Sequence, residues 1–223
     1  MPCMYQPRRT PVNARGRMDR MDEVSRTAIR LLQQGELVIY PTETFYALGC
    51  LATVHAAVER IFALKGRPGD KPLPLIVSDW EMCERFLRML PAEEELARKF
   101  WPGPLSIVVE VDPSVSPLAR DRHGRSAVRM TPHIVAAALC RGAGAPLVSS
   151  SANRSGHPPV SAPADLDVQL LRTGTLVVDS HPWPAGGLPS TLVRVVASKA
   201  VRMLRVGAVS PEEISGAGFE VVF

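Results

Sequence analysis

Short apolar runs separated by helical segments are the feature that most limits the folds open to this 223-residue chain. Each apolar run has the length of a β-strand, and none is long enough to span a bilayer. Strands and helices alternate over part of the chain, but some strands follow one another directly. This order predicts an α/β fold whose sheet is mixed rather than purely parallel.

Apolar periodicity, together with the positions of glycine and proline, predicts where the helices and strands lie. We predict helices over residues 22–34, 54–65, 79–89, 92–100, 132–139 and 163–171. We predict strands over residues 37–40, 74–77, 105–111, 126–130, 146–149, 176–178, 191–196 and 201–205. Two irregular stretches, residues 112–125 and 180–190, are each expected either to border a ligand site or to decorate the surface.

The net charge of +4 lies entirely in the first 17 residues, which contain four arginines and no acidic residue. Without these four, the chain has 22 basic and 22 acidic residues. Composition therefore does not predict a broad nucleic-acid-binding face. We expect residues 1–17 to be a flexible basic tail with at most weak RNA binding, and residues 18–223 to be a single catalytic domain.

The cysteines and histidines do not have the spacing of a metal site. Cys3, Cys50, Cys83 and Cys140 are widely separated, and no CxxC motif occurs. Their number and spacing predict reduced thiols in a cytoplasmic protein and no protein-bound metal. The sequence also has no Walker lysine motif, no GxGxxG and no GxSxG, so any ATP must be bound by a different kind of motif.

Three cations, Lys65, Arg67 and Lys71, fall within seven residues at the end of a predicted helix. Lys65 alone is explained by its favourable interaction with the helix dipole, with Gly66 ending the helix. Three cations with only Asp70 among them repel one another unless an anion binds nearby. The loop therefore favours an anionic ligand.

A second polar run, residues 149–156, follows a short apolar strand and contains Ser149, Ser150, Ser151 and Asn153. Such residues commonly form turns by hydrogen bonding to their own backbone. Loops at the carboxyl ends of strands are also where open α/β sheets bind ligands. Both interpretations stay open for this run taken alone.

Eight motifs, in order over residues 22–209, resemble those of the YrdC family of threonylcarbamoyl-AMP synthases. The resemblance is to the short, TsaC-like form without an extra C-terminal domain. It implies an α/β fold in which a twisted mixed β-sheet with flanking helices surrounds a deep, positively charged cavity. The motifs are PTETFYALG (41–49), KGRP (65–68), KPL (71–73), WPGPL (101–105), AVRM (127–130), SSSANRSG (149–156), GLPST (187–191) and LRVG (204–207).

The resemblance implies an enzyme that joins L-threonine, bicarbonate or carbon dioxide, and ATP into threonylcarbamoyl-AMP and pyrophosphate. This is the first step toward threonylcarbamoyladenosine in tRNA. The implied cofactor is Mg²⁺ accompanying ATP. The implied partners are the proteins that transfer the threonylcarbamoyl group to tRNA, and no membrane is involved.

The resemblance also implies which residues form the site. Lys65 and Arg67 would be the catalytic residues that hold the triphosphate, and Arg129 is suited to a bidentate contact with the threonine carboxylate. The implied ATP-binding residues are Lys65, Arg67, Lys71, Asn153, Ser161 and Arg205. The implied threonine-binding residues are Thr42, Thr44, Arg129, Ser151 and Ser190.

One departure from the family pattern concerns amino-acid selectivity. The family often has a histidine where this chain has Ser78, and that histidine contacts the threonine hydroxyl. A pocket that hydrogen-bonds a substrate hydroxyl rejects analogues without it strongly, so the loss of a donor matters for selectivity.

Two alternative functions stay open. The first is a related enzyme that adenylates another carbamate, as in hydrogenase-maturation carbamoyltransferases. Those proteins carry an acylphosphatase-like domain and zinc-binding cysteines, and the sequence has no CxxC motif. The second is a non-catalytic RNA-binding module, for which the neutral body and the aromatic content of 5% are poor support.

Overall fold

The computed structural model describes residues 23–66, 72–153, 156–171 and 175–223. The predicted tail over residues 1–17, together with Arg67 and Lys71, lies outside the described residues. No helix in the described part of the chain is long and apolar enough to cross a membrane.

The helices form where apolar periodicity and end signals coincide. The second helix buries Ala57, Val58 and Ile61 along one face and ends at Gly66, which adopts the left-handed conformation at φ 55°. The first helix packs on the fifth, which in turn contacts strands of both sheets. The described α-helices are α1 (Glu23–Gln33), α2 (His55–Lys65), α3 (Trp80–Phe86), α4 (Pro91–Phe100), α5 (Ile134–Ala143), α6 (Val168–Leu171) and α7 (Pro211–Gly216).

The described strands are β1 (Val38–Pro41), β2 (Tyr46–Gly49), β3 (Leu75–Val77), β4 (Leu87–Arg88), β5 (Leu105–Val111), β6 (Arg125–Met130), β7 (Leu147–Val148), β8 (Ser150–Ser151), β9 (Leu176–Val177), β10 (Thr191–Ala197), β11 (Ala200–Arg205) and β12 (Glu220–Val222). They form a four-stranded sheet in the order β8-β2-β1-β9 and a larger sheet in the order β12-β11-β10-β5-β6-β3-β7, with β4 paired to β5. Each sheet contains parallel and antiparallel pairs, so the predicted mixed α/β fold is confirmed. The strands divide between two sheets rather than forming one.

Most predicted elements are confirmed, and the differences have local causes. The predicted helix over 79–89 ends at Phe86, because Leu87–Arg88 pairs with β5. The predicted helix over 163–171 is broken into a 3₁₀ turn at Pro163–Asp165 and the short α6. The prediction also missed β2, β8, α7 and β12. For α7 a signal was present, since Ser210 and Glu213 form a capping box around Pro211.

The irregular stretch over residues 112–125 is held against the body of the protein. Val115 and Ala119 are fully buried, and Ser116 N donates to Ala52 O at 2.8 Å. The Ser116 hydroxyl also lies 2.9 Å from His55 Nδ1. This stretch therefore packs on α2 and its N-terminal loop.

The segment over residues 146–152 joins the two sheets. Its first part, β7, pairs antiparallel with β3 of the larger sheet, and its second part, β8, pairs antiparallel with β2 of the smaller sheet. Val148 N also donates to Cys50 O, and Ala52 N donates to Pro146 O, both at 2.9 Å. We call residues 146–152 the crossing segment.

A buried tyrosine reinforces this junction. Tyr40 on β1 donates its hydroxyl hydrogen to Val148 O at 2.7 Å, so a side chain of the smaller sheet bonds the backbone of the larger one. The approach requires a glycine at position 49: a Cβ there would lie 2.1 Å from Val148 O and 2.7 Å from Tyr40 Cε1. Burial raises the pKa of Tyr40 far above its ordinary value, although the hydrogen bond with Ser149 and the charge of Arg129 oppose this shift.

The hydrophobic core extends across both sheets. Its largest fully buried side chains include Tyr40, Tyr46 and Phe219. Cys50, Cys83 and Cys140 are buried free thiols within it, and burial raises the pKa of each to about 12. These cysteines therefore pack as small apolar residues and are poor nucleophiles.

Replacing Tyr40 with phenylalanine should destabilise the protein by about 1–3 kcal/mol, because it leaves the buried Val148 carbonyl without its side-chain donor. The measurement is the free energy of unfolding in urea. Tyr46→Phe is the matched control. The Tyr46 hydroxyl is buried and has no hydrogen-bond partner in the described part of the chain, so its removal should leave stability unchanged or slightly raised. Equal losses in the two variants would contradict the role assigned to the Tyr40 hydrogen bond.

Candidate active site

A cavity of about 360 Å³ opens where the two sheets meet. Its wall is formed by the turn between β1 and β2, the crossing segment, β6, and the strands β10 and β11. No acidic side chain lines it in the described part of the chain. The polar lining residues are Thr42, Thr44, Tyr46, Ser106, Arg129, Ser149, Ser150, Ser151, Asn153, His157, Ser190 and Arg205.

The cavity brings together seven of the eleven residues that the sequence implied. Lys65 and Ser161 are not among the lining residues, and Arg67 and Lys71 are outside the described residues. The seven that line the cavity are Thr42, Thr44, Arg129, Ser151, Asn153, Ser190 and Arg205.

Lys65 is only 7% exposed, although it carries a charge and ends a helix. Its ammonium group donates a hydrogen bond to the backbone oxygen of Ser151 in the cavity wall. A lysine that only complemented the helix dipole would extend into solvent, since a buried charge is costly. The structure thus directs this cation to the wall of the cavity.

The turn between β1 and β2 is closed by Thr42. Its hydroxyl donates to Phe45 O at 2.7 Å and accepts from Phe45 N at 3.3 Å. The hydroxyls of Thr42 and Thr44 are 3.4 Å apart. Gly186 N donates to Thr44 O at 2.9 Å, which connects this turn to residues 180–190. Two hydroxyl groups are therefore fixed side by side on the cavity wall.

Arg129 on β6 is held by an acidic residue that the sequence analysis missed. Its Nε donates to Glu43 Oε1 at 2.6 Å, and its Nη2 donates to Ser149 Oγ at 3.3 Å. The hydroxyl of Thr131 donates to the other carboxylate oxygen of Glu43 at 2.8 Å. Burial opposes ionisation of Glu43, but Arg129 and Thr131 outweigh it and hold the pKa below its ordinary value. The only sequence signal for Glu43 was its place inside PTETFYALG.

A third cation, Arg205, is fixed at the cavity through Ser190. Its Nε and Nη2 donate to Ser190 O at 3.1 and 2.8 Å, and Nη2 also lies 3.0 Å from Ser190 Oγ. The hydroxyl of Ser106, also missed in the sequence, is 3.1 Å from Ser190 Oγ. Burial and the nearby charge of Arg129 lower the pKa of Arg205. The two guanidinium groups are thus close enough to interact.

Two serines discussed from the sequence lie away from the cavity lining. Ser78 is buried, and its hydroxyl donates to Asp79 Oδ2 at 2.9 Å at the start of α3. Ser78 therefore does not replace the family's histidine as a contact for a substrate hydroxyl. Ser161 lies beside Gly186, whose N–H bonds Thr44.

The last two residues of the stretch 180–190 border the cavity, which favours the ligand-site interpretation for that end of the stretch. Pro189 and Ser190 line it. Earlier in the same stretch, Pro182 O is 2.8 Å from His133 Nε2. His133 Nδ1 accepts from Ala136 N at the start of α5. This arrangement requires the neutral ring, with its hydrogen on Nε2 donated to Pro182.

The arrangement can bind an anion or a carboxylate-bearing ligand, since it combines fixed cations with hydroxyl groups and few competing charges. In the described part of the chain, no three histidine, cysteine or acidic side chains are grouped so that they could hold a metal ion.

Comparisons with known proteins point to one family. The Sua5_yciO_yrdC family model, described as "Telomere recombination", matches residues 30–207. A threonylcarbamoyl-AMP synthase of Methylococcus capsulatus is 43% identical over 181 residues, which cover 79% of this chain and 95% of that protein.

Two solved structures of this family have a similar fold. The crystal structure of P. abyssi Sua5 complexed with L-threonine matches with a TM-score of 0.78 and 32% identity, covering 89% of this chain. This chain spans 58% of the length of that protein. E. coli YciO matches with a TM-score of 0.73 at 20% identity, covering 86% of this chain and 92% of that one, and supports the fold alone.

The unfolding free energy should fall as the pH drops below about 6.5, the ordinary pKa of histidine. Burial lowers the pKa of His133, although Pro182 and Glu43 oppose this shift. A lowered pKa in the folded state means that the unfolded chain binds the proton more readily. The contribution of His133 to stability is therefore complete above the unfolded-state pKa, and it is lost as the pH falls toward the folded-state pKa.

The measurement compares urea unfolding of the wild type and His133→Asn between pH 7.5 and pH 5.5. The variant should show a shallower decline, because asparagine can cap α5 without titrating. The carboxylates with lowered pKa, Glu43 and Asp79, lose their contributions only at lower pH. Parallel pH curves for the two proteins would contradict this assignment.

Proposed function

The chain belongs to the Sua5/YciO/YrdC family, and from that premise we propose that it forms threonylcarbamoyl-AMP from L-threonine, bicarbonate or carbon dioxide, and ATP for tRNA modification. Relatives named threonylcarbamoyl-AMP synthase and the threonine-bound Sua5 structure support this activity. The observation that carries it is the cavity at the sheet junction, which Arg129, Arg205 and Asn153 line together with a set of hydroxyl groups.

The reaction has two bond-forming steps. The threonine amine bonds to the carbon of carbon dioxide and loses a proton, which gives a carbamate. A carbamate oxygen then bonds to the α-phosphorus of ATP while the bond to the β-phosphate oxygen breaks, and pyrophosphate leaves. No protein nucleophile is required, so the protein's task is to position the reactants and stabilise charge.

Threonine is proposed to bind with its carboxylate on Arg129. The guanidinium is buried on β6, and its Nε and Nη2 are fixed by Glu43 and Ser149. The hydroxyls of Thr42 and Thr44 are the proposed contacts for the rest of the amino acid. Burial strengthens these contacts, because the lower local dielectric weakens screening of charge by water.

The triphosphate is proposed to bind at the Lys65 side of the cavity. Lys65 reaches the wall at Ser151, and Arg67 and Lys71 follow it closely in the sequence. Negative charge builds up on the phosphoryl oxygens and the leaving pyrophosphate, and fixed cations stabilise that charge without reorganisation. Asn153, Ser161 and Arg205 are the proposed contacts for the remainder of the nucleotide.

Mg²⁺ enters the proposal as part of the substrate, in its complex with ATP. No carboxylate lines the described part of the cavity, so phosphate oxygens are its proposed ligands. The product is a reactive mixed anhydride, and we propose that proteins that transfer its threonylcarbamoyl group to tRNA receive it in the cytoplasm. Weak RNA binding would be a property of the tail over residues 1–17.

Pyrophosphate release should require threonine, bicarbonate and ATP together, and it should distinguish threonine from its analogues. Serine should be used less well by the value of one buried methyl, about 1 kcal/mol or roughly fivefold in kcat/KM. Valine should be rejected more strongly, because a group that binds the hydroxyl would be left without its partner. The measurement is the initial rate of pyrophosphate release with each amino acid.

The outcomes of this assay separate the candidate functions. Equal rates with threonine and valine would mean that the hydroxyl is not read, and would favour an enzyme that adenylates another carbamate. Absence of pyrophosphate release with every amino acid, in a protein that is folded, would contradict the proposed activity.

Lys65→Ala should lower turnover by on the order of a hundredfold, the effect of losing one preorganised charge-stabilising donor worth about 3 kcal/mol. The control is Lys199→Ala, which removes an exposed lysine whose ammonium pairs with Glu95. That variant should keep wild-type turnover. Near-normal turnover of Lys65→Ala would remove Lys65 from the phosphate site.

A further inference from the structure

The guanidinium of Arg129 has two edges that can make paired hydrogen bonds, one formed by Nε and Nη2 and the other by Nη1 and Nη2. In the structure the first edge is in use: Nε donates to Glu43 Oε1 at 2.6 Å and Nη2 to Ser149 Oγ at 3.3 Å. Nη1 makes no hydrogen bond within the described part of the chain. Because Arg129 lines the cavity, its second edge is the one available to a ligand.

Glu43 acts from behind this arginine. It does not line the cavity, and its side chain is 12% exposed. Both of its oxygens are engaged, one by Arg129 and the other by the hydroxyl of Thr131 at 2.8 Å. Thr131 Oγ1 is fixed in turn, since it accepts from His133 N at 3.2 Å. The carboxylate is therefore held from two sides and cannot turn toward the cavity without breaking these bonds.

We infer that Glu43 is a positioning residue that fixes Arg129 so that its Nη1–Nη2 edge faces the substrate carboxylate. This inference rests on the proposed function, in which Arg129 binds the carboxylate of threonine. Without Glu43, the guanidinium could rotate about its side-chain torsions and offer either edge, or neither. A bidentate contact depends on both donors being aimed at once, so misalignment would weaken threonine binding.

The charge of Glu43 has a second effect on the same cavity. Arg129 and Arg205 are close enough that the charge of Arg129 contributes to the lowered pKa of Arg205. A carboxylate 2.6 Å from Arg129 offsets that repulsion. Alignment and charge compensation make different demands on the residue at position 43, and this difference allows the two effects to be separated by substitution.

The test compares Glu43→Ala with Glu43→Gln in the pyrophosphate-release assay, with threonine and ATP varied separately. Glu43→Ala should raise KM for threonine about tenfold or more, the scale of a lost hydrogen bond to a charged group, and should leave KM for ATP near its wild-type value. Glu43→Gln keeps an acceptor for Arg129 Nε and should restore most of the threonine affinity. Loss of charge compensation alone would predict equal defects in both variants, which would overturn the inference.

A double-mutant comparison checks that Glu43 acts through Arg129. Arg129→Ala should weaken threonine binding, and adding Glu43→Ala to it should weaken binding no further. Threonine binding is measured for these variants from the shift in Tm with added threonine, which does not require turnover. A full additional loss in the double variant would overturn the inference.

Further outcomes are distinguishable from a failure of the proposed function. If Glu43→Ala does not fold, Glu43→Asp carries the test: it keeps the charge but withdraws the carboxylate by one methylene, so threonine KM should still rise, and an unchanged KM overturns the inference. If the wild type binds threonine but releases no pyrophosphate, the proposed activity fails while the Tm shifts still test Glu43. If the wild type does not bind threonine, both fail.

Discussion

The structure depends on the hydrogen bonding of the crossing segment, which belongs to both sheets. Its backbone pairs with β3 on one side and β2 on the other, and the Tyr40 hydroxyl adds a bond between the sheets. Buried backbone groups must be paired, so this segment has little freedom to move without exposing unpaired groups on both sheets. The same segment supplies Ser149, Ser150 and Ser151 to the cavity. The site is therefore as rigid as the junction that holds the molecule together.

That rigidity allows three cations to be held near one cavity. Lys65 is fixed by a backbone oxygen, Arg129 by Glu43 and Ser149, and Arg205 by Ser190. A buried cation is stable only where acceptors or opposite charges surround it. The same partners hold the cation in one orientation before a ligand binds. The proposed reaction depends on cations with a fixed orientation, because charge develops on phosphoryl oxygens that the protein does not bond covalently.

Sequence periodicity succeeded where an element buries one face or is wholly apolar. The strand at Leu105–Val111 was predicted with its observed bounds, and the helix ending at Lys65 was predicted from its stripe and from Gly66. It failed for Ser150–Ser151, which contains no apolar residue, and for Tyr46–Gly49, a four-residue stretch that ends in glycine. Those strands exist because partners distant in the chain pair with them, which local patterns do not report.

By itself the sequence determined the mixed α/β class, the places of most helices and strands, and the motifs that identify the family and name seven of the polar residues that line the cavity. Only the tertiary structure decided how those residues are used. It turned Ser78 toward Asp79, placed Ser106 beside Ser190, and set Glu43 behind an arginine 86 residues away. The physical reason is that a side-chain hydrogen bond depends on distance and direction to within a few tenths of an ångström. Such geometry is fixed by strand register and sheet packing, which residue spacing along the chain does not specify.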